Sequence, residues 1–264
     1  MTGTITSVQN PKIKQLLALQ EKSRLRRETG LFVAEGRREL MHCVNAGFRI
    51  DSVFVCRDLF DNTAGDFSIP DVERGVFEVS REVYSKIAYR ESTEGIIAEV
   101  NCRRLQLEDL KLGEKPLIAV LEAVEKPGNL GAVLRSADAA GADAVIICNP
   151  LTDLYNPNLI RSSIGAAFTV PVVSCSSAEA IAFLKGSGIR ILTAQLQDSE
   201  LYYDTDMTVG TAIVMGTEST GLSQEWRLAA DAHIRIPMLG DLDSLNVSVS
   251  AAILLYEAVR QRNA

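Results

Sequence analysis

Hydrophobic patterning divides the chain into two textures. In the first hundred residues, short strand-like runs alternate with helical stretches. Residues 10–29 read as one helix with Ile13, Leu16, Leu17 and Leu19 on its apolar side. LFVAEG (31–36), DSVFVC (51–56), GVFEVS (75–80) and EGIIAEV (94–100) read as strands, with helices over 37–46 and 81–88. From residue 117 the strands are more apolar: LIAVLEAV (117–124), AVIICN (144–149), PVVS (171–174), IRILTA (189–194), TAIVMG (211–216) and HIRIPM (233–238). Runs apolar on both faces belong in a parallel sheet covered on both sides. Helices are predicted between them at 130–140, 156–165, 177–186, 222–230 and 247–262. This alternation predicts an α/β fold. The stretch NCRRLQLEDLKLGEK (101–115) is charged and carries no strand pattern. The expected organisation is a small α/β domain over 1–105, a linker over 106–115 and a second α/β domain over 116–264.

Composition narrows the class. The chain has 264 residues, 47% apolar and 23% charged, as in ordinary globular proteins of one or two domains. No apolar stretch approaches the ~20 residues of a membrane span. The N-terminus lacks the apolar core of a signal peptide, so no membrane partner and a cytoplasmic location are expected. The five cysteines are odd in number and none is spaced C-x-x-C. With two histidines besides, neither a disulfide scaffold nor a metal site is expected. The net charge of −7 argues against nucleic acid for the chain as a whole. Residues 1–40, however, hold 8 basic residues against 4 acidic ones. The bases are Lys12, Lys14, Lys22, Arg24, Arg26, Arg27, Arg37 and Arg38. A local basic face can bind phosphate on an acidic protein, although such a run also reads as a solvated helix face.

Ligands of open α/β sheets bind at the carboxyl ends of the strands. Three such ends here are rich in glycine and polar residues: EKPGNLGAVLRSADAAG (125–141), MGTESTGLS (215–223) and PMLGDLDSLNVSVSAA (237–252). The first is no dinucleotide fingerprint, because Gly128 and Gly131 are spaced G-x-x-G and the next strand ends in Asn149, not an acid. That disfavours a nicotinamide oxidoreductase. Arg135 stands one turn into a helix among small apolar residues. Glu218 lies between Gly216 and Gly221, where it can bond, balance an arginine or cap the next helix. Asn246 is a natural cap for the helix that follows it. Each polar residue taken singly has such a local reading, whereas three polar strand ends together point to a site.

The residues N129-x-G131-x-x-x-R135, G216-T-E218-x-x-G221-L222 and I236-P-M…S244-L-N246-V-S248-V-S250-A-A resemble, in this order, the three motifs of the SpoU-type RNA 2′-O-ribose methyltransferases of the SPOUT class (TrmH-like). LYNPNLIRSSIGAAF (154–168) also resembles that family. The resemblance implies a parallel-sheet domain whose C-terminal part forms a trefoil knot, S-adenosylmethionine as cofactor and a homodimer. It implies that residues 1–105 are a ribosomal-protein-like substrate-binding domain for RNA, with rRNA favoured over tRNA. Carried over by position, Arg135, Glu218, Asn246, Asn129 and Ser244 are the catalytic residues. Leu196, Gly216, Ile236, Leu245 and Asn246 surround the cofactor. Lys12, Lys14, Arg24, Arg26, Arg27, Arg37 and Arg161 are the candidates for RNA contact.

The chemistry is coherent with one difficulty. A ribose hydroxyl is a poor nucleophile until its proton leaves. No histidine is at hand, since His233 falls within a strand. Arginine is an awkward base, because a guanidinium holds its proton. Either Arg135 takes the proton regardless, as proposed for the family, or it stays a cation that clamps the neighbouring phosphate and favours the developing alkoxide. A non-catalytic RNA-binding module of the same fold is the remaining alternative, and the intact polar set Asn129, Arg135, Glu218 and Asn246 argues against it.

Overall fold

The structure is a computed structural model that describes residues 4–60, 69–89, 94–217 and 220–264. Two compact units divide the chain. One holds Met1–Arg103 with Tyr155–Ile160, the other Arg104–Leu154 with Arg161–Ala264.

The first unit contains α1 (Pro11–Glu21), α2 (Ser23–Thr29), β1 (Leu31–Glu35), α3 (Arg37–Asn45), β2 (Ile50–Val55), β3 (Val72–Glu78), α4 (Arg81–Ile87) and β4 (Ile96–Asn101). The sheet runs β1-β4-β2-β3. β4 is antiparallel to β1 and to β2, while β2 and β3 are parallel. Ile13, Leu16 and Leu19 of α1 pack with Leu31, Val33, Phe54 and Ile97 of the sheet and with Val83, Tyr84 and Ile87 of α4. Asn10 caps α1 by accepting the Lys12 amide at 3.0 Å, and Pro11 opens the helix without wasting a donor.

The single helix expected over 10–29 is two helices. Lys22 is extended, at φ −107° and ψ 104°, and interrupts it. The break frees carbonyls in the last turn of α1, which need donors. Arg26 supplies them: its Nη1 donates to the Leu19 and Gln20 carbonyls. Arg26 is therefore 2% exposed, and this corrects its assignment to an RNA-contacting face. A guanidinium buried to this extent against helix carbonyls is out of reach of a phosphate.

The second unit contains β5 (Leu117–Glu122), α5 (Pro127–Ala139), β6 (Ala144–Cys148), α6 (Pro157–Ser163), α7 (Ala166–Thr169), β7 (Val172–Cys175), α8 (Ser177–Gly186), β8 (Arg190–Ala194), β9 (Glu200–Leu201), β10 (Thr211–Met215), α9 (Gln224–Ala229), β11 (Ala232–Arg235) and α10 (Val247–Arg262). Its sheet runs β7-β6-β5-β10-β8-β11-β9, and every pairing is parallel. The apolar strands predicted this. The two-residue β9 is too short to show a pattern. The helix expected at 156–165 is α6, which stops at Ser163; Ile164 and Gly165, both at positive φ, separate it from α7.

Residues 106–115 are not a free linker. Leu107 is buried in the core of the second unit with Ile118, Val120, Ile146 and Val173. Leu105, Leu110 and Leu112 pack against the same core. Four leucines spaced irregularly among charges have no helical or strand period, so their burial was not legible. Among the described residues, no helix is long and apolar enough to cross a membrane.

Candidate active site

The carboxyl ends of β8, β10 and β11 surround a cavity of about 390 Å³ within the second unit. Its wall is built from residues 194–197, 215–217 and 220–222, 234–236, and 243–245, closed by Val247, Ser250 and Leu254 of α10. Leu196, Gly216, Ile236 and Leu245, far apart in sequence, all line it. So does Ser244, whose hydroxyl donates to Asp243 at 3.1 Å.

Gly216 is required by packing. A Cβ there would lie 2.3 Å from the carbonyl carbon and oxygen of Gly221. The chain folds back on itself at this point, with Thr217 bridging Gly221 and the Gly221 amide donating to the Thr217 carbonyl at 3.1 Å. Gly221 completes the turn at φ +67°, a conformation that suits glycine. Glu218 lies outside the described residues.

Asn246 caps α10, as its position after the loop predicts. Its Oδ1 accepts the Ser248 amide at 3.0 Å and the Ser248 hydroxyl at 2.6 Å. With the carbonyl oxygen so engaged, the amide nitrogen turns outward and donates to Asn129 Oδ1 at 3.2 Å. The first and third motifs thus meet through their two asparagines, 117 residues apart. Asn129 sits in the first turn of α5. Arg135 follows six residues later on a different face of that helix. It is exposed, with no hydrogen-bond or ion-pair partner among the described residues.

The remaining candidates divide by exposure. Lys12, Lys14, Arg24, Arg27 and Arg161 are exposed, and Arg37 is half-buried. Lys12 lies over the Phe77 ring at 4.2 Å, and Arg37 over Phe60 at 4.5 Å. Arg24 pairs with Glu28 one turn on. His233 Nδ1 contacts Thr193 Oγ1 at 2.5 Å across β11 and β8, and neither side chain lines the cavity.

Sequence reasoning missed two polar residues of the wall. Among the described residues, Gln195 Oε1 and Arg227 Nε are buried without a hydrogen-bond partner, and both residues line the cavity. Buried polar atoms left unmatched are costly and mark a place for a ligand or water. Arg227 stands on a short polar helix outside the three motifs, so nothing in its local pattern marks it. Among the described residues, no group of three or more histidines, cysteines or carboxylates can hold a metal ion.

A parallel α/β sheet with a cavity at its strand ends, walled by aliphatic and polar side chains together, defines a protein that holds a small organic ligand there. Residues 116–256 match the family model described as SpoU rRNA Methylase family, and residues 10–98 match the MRM3-like substrate binding domain. The chain belongs to the SpoU rRNA methylase family. It is 30% identical to the 23S rRNA (guanosine(2553)-2′-O)-methyltransferase RlmP of Bacillus subtilis, over 96% of this chain and 97% of that one. It is 35% identical to the 23S rRNA (guanosine-2′-O-)-methyltransferase RlmB of Vibrio cholerae, over 85% and 96%. The AdoMet-bound rRNA methyltransferase from Sinorhizobium meliloti superposes with a TM-score of 0.87 at 29% identity, over 98% of this chain and 97% of that one.

Proposed function

We propose that this protein transfers a methyl group from S-adenosylmethionine to a ribose 2′-hydroxyl of ribosomal RNA. The observation that carries the reading is the hydrogen bond from Asn246 to Asn129 beside the cavity. It joins the cofactor-side loop to the helix that bears Arg135. Relatives named as 23S rRNA 2′-O-methyltransferases along almost the whole chain support rRNA as the substrate.

The cavity fits this cofactor. Leu196, Met215, Ile236 and Leu245 offer apolar walls for a purine, and Gln195 and Arg227 offer polar atoms that have no other partner. When bound, the cofactor supplies an electrophilic methyl group on a sulfonium. The residues of the chain then need to place an oxygen in line with it, and much of the acceleration comes from that placement. Asn246 and Asn129 hold the two flanking segments in register. Arg135 acts as a cation that grips the phosphate next to the target ribose, orients its hydroxyl and favours the alkoxide, while the proton passes to phosphate or water. Glu218 and Ser244 orient these groups. Because the acceptor is a 2′-hydroxyl, the substrate is RNA and not DNA.

Lys12, Lys14, Arg24, Arg27 and Arg37, with Arg161, contact RNA phosphates in this reading. The same reading carries the trefoil knot, a homodimer and a cytoplasmic location. Val249 and Tyr256 support the homodimer, as exposed apolar side chains seven residues apart on one face of α10. The test is transfer of labelled methyl from S-adenosylmethionine onto total RNA, followed by mapping of alkali-resistant linkages. The expected result is label at a ribose in 23S rRNA. Cofactor binding with no incorporation into any RNA overturns the reading.

A further inference from the structure

We infer that Glu122, at the end of β5, is a positioning residue that pins the cavity loop 215–223 and thereby sets the affinity for the cofactor; the inference rests on the function proposed above.

Glu122 is buried, at 6% exposure. Its Oε2 accepts the Ser223 amide at 2.8 Å, and its Oε1 accepts the Ser177 hydroxyl at 3.0 Å. Ser177 Oγ also receives Trp226 Nε1 at 2.9 Å and Asn149 Nδ2 at 3.0 Å. An indole N–H and a primary amide nitrogen can only donate. They fill both lone pairs of the hydroxyl, so its single proton has to point at Glu122. The Ser223 amide is likewise an obligate donor. Glu122 must therefore supply two acceptors, which a carboxylate does and a carboxamide does not.

Both bonds converge on one element. Ser223 is the cap residue of α9 and makes no side-chain cap bond of its own. Trp226, fully buried on the same helix, is tied to Glu122 through Ser177. The loop that precedes α9 leaves β10 at Met215, which pairs with Leu121 of β5. It ends at Ser223, held by Glu122, the very next residue of β5. The two ends of the loop are thus fastened to adjacent residues of one central strand. Between them lie Gly216, Thr217, Thr220, Gly221 and Leu222 of the cavity wall, and Arg227 follows on α9. Release of the second fastening lets the wall drift from the first, and the lost alignment falls on the cofactor.

The experiment measures S-adenosylmethionine binding by calorimetry, and KM and kcat with RNA, for the full chain and its variants. Glu122→Gln is expected to raise Kd and KM for the cofactor about tenfold, with kcat at saturating cofactor within about threefold of the parent. Ser223→Pro replaces the amide hydrogen with a ring carbon and drops a hydroxyl that makes no cap bond, at a φ of −64° that proline accepts; it breaks the bond to Glu122 and is expected to reproduce the effect. The double variant is expected to bind within about twofold of Ser223→Pro alone, because the loop end is already released once its amide bond to Glu122 is gone. Unchanged affinity in Glu122→Gln, a loss confined to kcat, or additive effects in the double variant would each overturn the inference. If Glu122→Gln does not fold, Ser177→Ala decides, with an affinity loss of about threefold expected and no loss overturning the inference. A parent protein that binds no S-adenosylmethionine overturns the function itself, whereas equal binding by parent and variants overturns the pin alone.

Discussion

The two units bury different kinds of residue. The first, though shorter, buries the charged residues Arg26, Glu35, Glu39, Asp51 and Glu99, whereas the second buries two, Glu122 and Glu257, among the described residues. A buried charge is tolerated only with partners. Those of the first unit have them: Arg26 on the helix carbonyls, Glu39 with Arg38 at 3.0 Å, Asp51 with Arg74 at 3.2 Å, and Glu35 on the Tyr89 amide at 2.9 Å. In the second unit the sheet is covered on both faces, and β5, β6 and β10 are fully buried. Charged groups are absent from the interiors of these three strands, and Glu122 stands at the carboxyl end of β5. Charged residues inside the first unit serve the fold, while polar residues at the strand ends of the second wall its cavity.

That contrast breaks most visibly at Arg135. Arg135→Ala is expected to cut methyl transfer by roughly a thousandfold or more, with unfolding free energy within about 0.5 kcal/mol of the parent. Single-turnover transfer to bound RNA and urea denaturation measure the two. Arg135→Lys is not expected to restore the rate, since an ammonium lacks the forked donors. Near-normal transfer by the alanine variant would remove Arg135 from the site.

Gly216→Ala tests the cavity loop. The added carbon meets backbone at 2.3 Å, so the Gly221 turn has to move. Cofactor affinity is expected to fall about a hundredfold and stability by about 1–3 kcal/mol, read by calorimetry and thermal unfolding.

Arg26 and Arg27 are neighbours in sequence with opposite expected behaviour. Arg26→Ala is expected to cost about 2–3 kcal/mol of stability, because two carbonyls lose a charged donor. Arg27→Ala is expected to leave stability within about 0.5 kcal/mol and to lower the salt dependence of RNA binding by about one unit. Denaturation and binding at several salt concentrations separate them, and equal behaviour of the pair would erase the distinction between the buried and the exposed base.

The smallest effect concerns Glu99. Burial, then the neighbouring Asp51, pushes its carboxyl up from 4.5 to about 7, against the opposing pull of Arg74, Gln15 and Lys12. Gln15 donates to its Oε2 at 3.3 Å, and its Oε1 is buried without a partner among the described residues. A folded-state value above the unfolded one means that the native chain holds the proton more tightly. The stability from this group is therefore fully present below pH 4.5 and is lost as the pH rises through about 7. Glu99→Gln is expected to flatten that slope and to be the more stable form at pH 8. Urea unfolding at pH 5 and pH 8 checks it, and an unchanged slope would refute the assignment.

Much of this division was legible from single residues. Apolar runs such as AVIICN announced a parallel sheet, and Asn246 announced the start of α10. The resemblance of their motifs points to Gly216, Ile236 and Leu245, which line the cavity. Other features had no local signal. Arg26 looks like every other base in its run, and only the break at Lys22 turns it inward. Leu107 stands among charges without a period. Glu122 ends an apolar strand as any polar residue would, and its two donors come from 55 and 101 residues away.

By itself the sequence determined the kind of sheet, the order of elements and the three loops that carry polar residues, because hydrophobic period and turn chemistry act over a few neighbours. The tertiary structure decided which polar residues meet. Asn129 and Asn246 share a hydrogen bond, Leu196 and Leu245 share a cavity, and Glu122 holds Ser223, because the order of strands in the sheet brings these ends together. Strand order is set by long-range burial and pairing, which no short window of residues records.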